Sequence, residues 1–202
     1  MGLPAFTVEG LVVGREEPAE GHRDISVFSA KRGLLKCRCR LSAGKSATVP
    51  DLFADVEAML NPIGSGPLSY VGECQLMKSR SGIGADYNRL AAASALARLV
   101  LLNARWLATF DQISILMGQA LDALDLGAPP DAARLKALYL LVRFEGYPVE
   151  EAWRTNWPDQ ENIAIGALLN KSVESCETPS STLKRWRKDL ERWIVAETDF
   201  VL

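Results

Sequence analysis

The stretch GLLKCRCRL, residues 33–41, alternates apolar or sulfur-containing side chains with basic ones. Successive side chains of an extended strand point to opposite faces. One face of this strand therefore carries Leu35, Cys37, Cys39 and Leu41, and the other carries Lys36, Arg38 and Arg40. Free cysteine packs as a small buried hydrophobe. The stretch predicts a half-buried strand that has its sulfur atoms in a core and its cations in water.

The alternative for Cys37 and Cys39 is a metal site, which would need further ligands at suitable spacing. Cys74 and Cys176 are isolated in the sequence, and His22 is the only histidine. The packing role is therefore favoured, and neither a metal nor another cofactor is expected. The uneven spacing of the four cysteines also does not resemble a disulfide framework.

Four further segments before residue 78 have the composition of strands, with turn residues between them. The five predicted strands are Phe6–Arg15, Asp24–Ser29, Gly33–Leu41, Leu52–Met59 and Leu68–Met77. Five short strands of this kind predict a small antiparallel barrel. The aromatic residues Phe28, Phe53 and Tyr70 are each expected in the core rather than at a stacking surface.

The stretch KSRSGIGAD, residues 78–86, is a Gly/Ser-rich linker, and helical periodicity begins after it. The predicted fold is α+β, with a barrel domain over residues 1–80 and a helical domain over residues 81–202. The predicted helices run from a cap at Asp86 to about Trp106, roughly over Asp111–Leu126, from Pro130 to a left-handed cap at Gly146, from a cap at Asp159 through Asn170, and over about Ser181–Glu197.

The net charge of −2 hides an uneven distribution of charge along the chain. Within residues 21–50 only Asp24 is acidic, and the basic residues are Arg23, Lys31, Arg32, Lys36, Arg38, Arg40 and Lys45. Exposed strands that serve only solubility usually mix charges of both signs. The basic row therefore predicts contact with a polyanion, and a solvated strand surface remains the alternative. The basic residues near the end of the chain are either a solvated helix face or a second anionic contact.

Other functional classes find little support in the sequence. SAGKSA, residues 42–47, lacks the first glycine of a P-loop because Cys39 stands at that position. A single histidine without a nucleophile pairing leaves no recognisable active site, so a non-enzyme is expected. The N-terminus has no basic segment before an apolar run, and no apolar stretch is long enough for a membrane span. A cytoplasmic protein is the expectation.

The order of these segments resembles the RecO family of bacterial DNA repair and recombination mediators. The similarity is carried by residues 9–40, by IGADYNRLAAASALARL (83–99), by TFDQISILMGQALDAL (109–124), by RFEGYP (143–148) and by WIVAETDFVL (193–202). It covers nearly the whole chain, although no single motif is diagnostic. Many relatives have a four-cysteine zinc element after the position of Pro148. Here that element is absent, so the chain resembles a shortened member.

The resemblance implies an N-terminal OB-fold followed by a helical domain. It also implies binding of single- and double-stranded DNA, single-strand annealing, and RecA loading with RecR. A further implied partner is the acidic C-terminal tail of single-stranded-DNA-binding protein, for which Arg98, Arg105 and Arg143 are the candidate contacts. The seven basic residues of the barrel would contact phosphate. A competing hypothesis is an adaptor that recruits acidic tails and does not bind DNA.

Overall fold

The structure is a computed structural model that describes residues 4–17, 19–41, 49–64 and 66–202. Within these ranges five strands precede six α-helices, which confirms the predicted α+β class. The strands are β1 (Phe6–Arg15), β2 (His22–Ser29), β3 (Gly33–Arg40), β4 (Asp55–Pro62) and β5 (Leu68–Lys78). The helices are α1 (Tyr87–Asn103), α2 (Phe110–Asp125), α3 (Pro130–Phe144), α4 (Val149–Ala152), α5 (Asp159–Asn170) and α6 (Ser180–Glu197).

The strands pair in the closed order β1-β2-β3-β5-β4, so each strand has a neighbour on both sides. The β3–β5 pair is parallel, and the other pairs are antiparallel. In the β2–β3 hairpin, paired residues run from Ser29 with Gly33 to His22 with Arg40. The β3–β5 contact is short and pairs Lys36–Arg38 with Leu68–Tyr70, so the later, exposed residues of β5 pair with β4 but not with β3.

Cys37 and Cys39 lie inside the barrel, as the alternation predicts. Their residues are 0% and 5% exposed, and they pack in one cluster with Ile25, Val27 and Leu60. Burial raises the pKa of Cys37 to about 12 and that of Cys39 to about 11, because desolvation disfavours the thiolate. The two sulfur atoms are part of an apolar core.

Strand β4 is displaced from its predicted range and begins at Asp55 rather than Leu52. Phe53 has a left-handed backbone (φ 68°) and its side chain is buried, so the chain bends there before the strand begins. Val56 and Ala58 point into the barrel core. Leu52 and Ala54 also pack in the barrel core, so their apolar pattern extended the predicted strand to residues that precede its beginning at Asp55.

The barrel and the helices share one hydrophobic cluster. Leu11, Val13 and Phe28 of the barrel belong to the same cluster as the buried residues of α1, α2 and α3. The ring of Phe28 meets that of Phe110, at the start of α2, edge to face at 6.0 Å between centroids. The barrel thus has a core of its own on its inner face, and it shares a second cluster with the helices that follow the predicted boundary near residue 80.

Two predicted helix ends are confirmed by their hydrogen bonds. The Asp86 side chain accepts a hydrogen bond of 2.9 Å from the Arg89 amide at the start of α1. After α3, Gly146 has φ 87° and donates its amide to Arg143, while the Tyr147 amide reaches the Val142 carbonyl. The short helix α4 was not predicted. No helix in the described part of the chain is long and apolar enough to cross a bilayer.

Arg80 connects the barrel to the helical part through a buried guanidinium group. Its side chain is 1% exposed and donates to the Phe53 carbonyl (2.6 Å), the Asp55 carboxylate (2.8 Å) and the Asp122 carboxylate (2.7 Å). Lys78 also contacts Asp122, at 2.7 Å. Burial alone would raise the pKa of Asp122, but the hydrogen bonds from Lys78 and Arg80 outweigh it and lower that pKa. Arg80 thereby ties the end of β5 to β4 and α2.

Replacing Arg80 with alanine should lower the free energy of unfolding by about 3 kcal/mol, because two carboxylates and a carbonyl lose their shared donor. Urea denaturation at pH 7 measures this change. The control is Lys78→Ala, which removes a half-exposed partner of the same Asp122 and should cost at most about 1 kcal/mol. Equal effects of the two substitutions would contradict the role of the buried arginine.

Labelling of the thiols in the native protein should distinguish the cysteines by their rates of reaction. Cys74 is exposed, although desolvation also raises its pKa, whereas Cys37 and Cys39 are buried and their pKa values are raised to about 12 and about 11. With a maleimide at pH 8, we expect Cys74 to react first and the two barrel cysteines to react only in denaturant, as followed by peptide mass spectrometry. Rapid native labelling of Cys37 would contradict the packing shown here.

Candidate nucleic-acid interface

Lys36, Arg38 and Arg40 lie on the outer face of β3, on the opposite side from Cys37 and Cys39. Residues two apart on one strand face are separated by about 6–7 Å. These three side chains, together with their neighbours His22 and Asp24 on β2 and Tyr70 on β5, form what we call the outer basic face. Its three cations form a row with a spacing comparable to that of neighbouring phosphates on an extended strand.

Two of the three cations have carboxylate partners. Arg38 donates two hydrogen bonds of 2.7 Å to the Asp24 carboxylate, which stands opposite it on β2. The side-chain hydrogen bond from Arg38 is the main reason that the pKa of Asp24 is lowered. Lys36 lies 3.7 Å from the Glu16 carboxylate, and both of these side chains are largely exposed. The sequence predicted the positions of the cations but not their neutralising partners.

Arg40 is the most available cation of this row. It is exposed, lies opposite His22, and makes no ion pair with any residue that the structure describes. Lys36, Arg38 and Arg40 contribute +3, and Asp24 together with the neighbouring Glu16 contributes −2, which leaves a formal charge of +1. The face is therefore weakly cationic, and its charge depends mainly on Arg40.

Arg23 does not belong to the outer basic face. It is paired with Cys39 and shares its strand face with Ile25 and Val27, which belong to the barrel core. Its Nε atom is buried without a hydrogen-bond partner among the described residues. The prediction that Arg23 shares one outward surface with the β3 cations is therefore wrong, because alternation along β2 turns it towards the barrel core.

Lys31 and Arg32 lie in the β2–β3 turn, at the opposite end of β3 from Arg40. Eight strand residues separate the two ends by about 24 Å. The Arg32 guanidinium stacks over the Phe6 ring at 4.1 Å from its centroid. Lys45, the seventh predicted contact, lies outside the described residues. The predicted contacts consequently do not form one continuous patch.

Tyr70 is placed differently from its expected position in the core. It pairs with Arg38 across the parallel β3–β5 contact and is half-buried on the outer face. Its ring centroid is 5.9 Å from that of His22. Phe28 and Phe53 are buried in the core, as expected. The sequence signal for Tyr70 was the alternation with its neighbours Ser69 and Val71, which point inward.

The three candidate partner contacts are exposed and lie in the helical part. Arg98 is on α1, Arg105 follows α1, and Arg143 is in the last turn of α3. The Arg105 guanidinium lies 4.7 Å from the ring centroid of Trp106, and Trp106 is 68% exposed. Their role in partner binding remains a prediction.

Two of the four residues on the basic flank of α6 make ion pairs within the molecule. Arg185 contacts Glu161 at 2.5 Å and Arg192 contacts Asp189 at 2.6 Å. Arg187 is buried, and it bonds Asp131 and Glu191. Lys184 and Lys188 remain exposed. These ion pairs favour the solvated-face alternative for α6 over a second anionic contact.

A cavity between α2 and α3 collects polar groups, but these groups serve structural contacts. Asp122 bonds Lys78 and Arg80, and the Lys136 amine donates to the Lys171 carbonyl at 2.6 Å. Among the described residues, no three His, Cys, Asp or Glu side chains are grouped so that they could hold a metal ion.

Comparison with protein-family models and with curated proteins finds no match to this chain. The functional argument therefore rests on the site itself.

Titration of Asp24 tests the central ion pair of the outer basic face. The pKa of Asp24 in the folded protein lies below its ordinary value near 3.8. The ion pair therefore stabilises the fold at pH values above 3.8, and this stabilisation is lost as the pH falls through the folded-state pKa. In NMR titrations of the Asp24 carboxyl carbon, Arg38→Met should move the midpoint upward. Arg40→Met should leave it in place, and an equal shift in both variants would contradict the pairing.

Proposed function

We propose that the protein binds DNA through the outer basic face of its barrel and acts as a recombination mediator of the RecO type. Five strands in the closed order β1-β2-β3-β5-β4 support an OB-fold. OB-folds bind oligonucleotides on the face formed by their second and third strands. This is the face on which Asp24, Arg38 and Arg40 lie.

The observation that carries the proposal is the common orientation of Lys36, Arg38 and Arg40 away from the barrel core. Arg40 and Lys36 supply the phosphate contacts, because Arg40 makes no described ion pair and the 3.7 Å contact of Lys36 with Glu16 is solvent-exposed. Such exposed pairs contribute little and exchange readily for another anion. The charge of Arg38 is neutralised by Asp24, so we expect Arg38 to contribute less to phosphate binding than Arg40 and Lys36 do. Contacts of this kind orient a strand without reading its bases.

The wider role follows from the family resemblance. It comprises annealing of complementary strands, loading of RecA together with RecR, and docking of the tail of single-stranded-DNA-binding protein on the helical part. In this role the protein binds and positions its partners, and it catalyses no reaction and needs no cofactor. Binding of single- and double-stranded DNA by the weakly charged face is expected to be modest and sensitive to salt.

The triple variant Lys36→Ala/Arg38→Ala/Arg40→Ala tests this proposal. Titration of a fluorescent single-stranded oligonucleotide at several salt concentrations should show weaker binding to all sequences. The log–log slope against salt should become shallower by up to roughly 2, because each lost phosphate contact on a single strand contributes about 0.7.

The matched control removes three positive charges elsewhere, as Lys184→Ala/Lys188→Ala/Arg192→Ala on α6. It changes the net charge equally and should keep most of the slope. A slope that is unchanged in the β3 variant, or reduced equally in both variants, would refute the proposed interface.

The competing function is an adaptor that binds an acidic peptide through the helical part. It is favoured by the outward surface at the end of α1, where exposed Leu102 and Trp106 lie near Arg98 and Arg105. Neither arginine makes an ion pair with the part of the chain that the structure describes. Apolar side chains beside unpaired cations suit a peptide that carries both carboxylates and apolar residues.

Calorimetry with an acidic, apolar-ended peptide distinguishes the two functions. If the adaptor hypothesis holds, Arg98→Ala/Arg105→Ala should weaken peptide binding at least about tenfold, while the β3 triple variant binds the peptide normally. The adaptor replaces the DNA-binding proposal if the β3 variant has also lost no DNA affinity. Peptide binding that is insensitive to both variants would contradict this location.

A further inference from the structure

Tyr70 and His22 form an aromatic pair on the outer basic face. The ring centroids are 5.9 Å apart and the ring planes are inclined by 50°. Both residues are half-buried, so part of each ring remains open to solvent. Most other aromatic residues of the barrel do not offer this surface, because Phe28 and Phe53 are buried and Phe6 lies beneath Arg32.

The pair is held in place by polar contacts on both sides. Arg38 pairs with Tyr70 across the β3–β5 contact, and Asp24 fixes Arg38 through two hydrogen bonds of 2.7 Å. The Glu20 carbonyl accepts a hydrogen bond of 3.0 Å from His22 Nδ1. A ring fixed in this way loses little conformational entropy when a flat ligand packs against it.

Cations lie beside this aromatic pair on the same face. Arg40 is paired with His22 across the hairpin, and Lys36 is two positions before Arg38 on β3. A strand whose phosphates contact Arg40 and Lys36 therefore passes next to Tyr70. At that point an unpaired base can leave the strand and pack on the ring, whereas a base of a duplex is held in its own stack.

We propose that Tyr70, supported by His22, stacks on one unpaired base and gives the interface a preference for single-stranded over double-stranded DNA. This inference rests on the proposed function, since it assumes that a strand follows the outer basic face. It assigns Arg38 and Asp24 the role of positioning residues for the ring. The cations then supply affinity for both forms of DNA, and stacking on Tyr70 makes the affinity for single-stranded DNA higher than that for the duplex.

The test compares Tyr70→Leu with the unchanged protein on three probes of equal length: a thymine oligonucleotide, an oligonucleotide with abasic sites, and a duplex. Binding to the thymine strand should weaken roughly 5- to 100-fold, the range expected for one lost stacking contact. Binding to the abasic strand and to the duplex should change less than about twofold. The salt slope should stay the same, because stacking releases no counterions.

Two further variants serve as controls. Tyr70→Phe keeps the ring and should retain most of the preference for the thymine strand. Tyr87→Leu makes the same change as Tyr70→Leu at a tyrosine that is 81% exposed on α1, and it should have no effect. Thermal unfolding of all variants shows that losses of binding do not reflect loss of fold.

The outcomes separate this inference from the function on which it rests. If Tyr70→Leu binds the thymine strand normally, or loses affinity equally for all three probes, base stacking is refuted while DNA binding stands. If the unchanged protein binds none of the probes, the proposed function fails and the inference fails with it.

Discussion

The two-residue period of β3 is the constraint on which both the core and the proposed interface depend. Cys37 and Cys39 fill the barrel because their small side chains tolerate complete burial. Once they point inward, Lys36, Arg38 and Arg40 have no alternative but the outer face. A shift of one residue in register would bury three cations at a cost that the fold could not sustain. Packing and surface charge are therefore two results of the same backbone geometry.

The outer face of the hairpin changes character along its length, and this change determines which part stays open. Near the turn, Phe28 and Leu34 face outward and pack against the helices. Further along, the outward pairs are Asp24 with Arg38 and His22 with Arg40, and these lie away from that cluster. The helical part thus covers the apolar end of the hairpin and leaves its charged end free. The buried contacts of Arg80 hold this arrangement by joining β4 and β5 to α2.

Strand positions and faces were predictable from the sequence, whereas charge pairing required the register. The strand β1, the alternation of β3, the cap at Asp86 and the left-handed Gly146 all follow from local rules, and the structure confirms them. The pairing of Asp24 with Arg38 depends on how many residues the β2–β3 turn contains, and composition does not reveal this number. The same holds for Arg23, whose partner across the hairpin is Cys39. A count of charges along the sequence therefore overestimates the charge that a folded surface offers.

The structure also changes how the proposed interface would work. Seven basic residues in sequence suggested a surface that binds by charge alone. In the fold, Arg38 is occupied by Asp24, Arg23 turns to the barrel core, and the exposed cations of β3 are Lys36 and Arg40. A face with so little free charge needs contacts with DNA that do not depend on charge. The ring of Tyr70, which lies beside Arg38 on the same face, can provide such a contact by stacking on a base. In an interface that bound DNA by charge alone, Asp24 would only weaken binding, because it neutralises Arg38. If Tyr70 stacks on a base, Asp24 also contributes to binding, because it fixes the arginine that positions the ring.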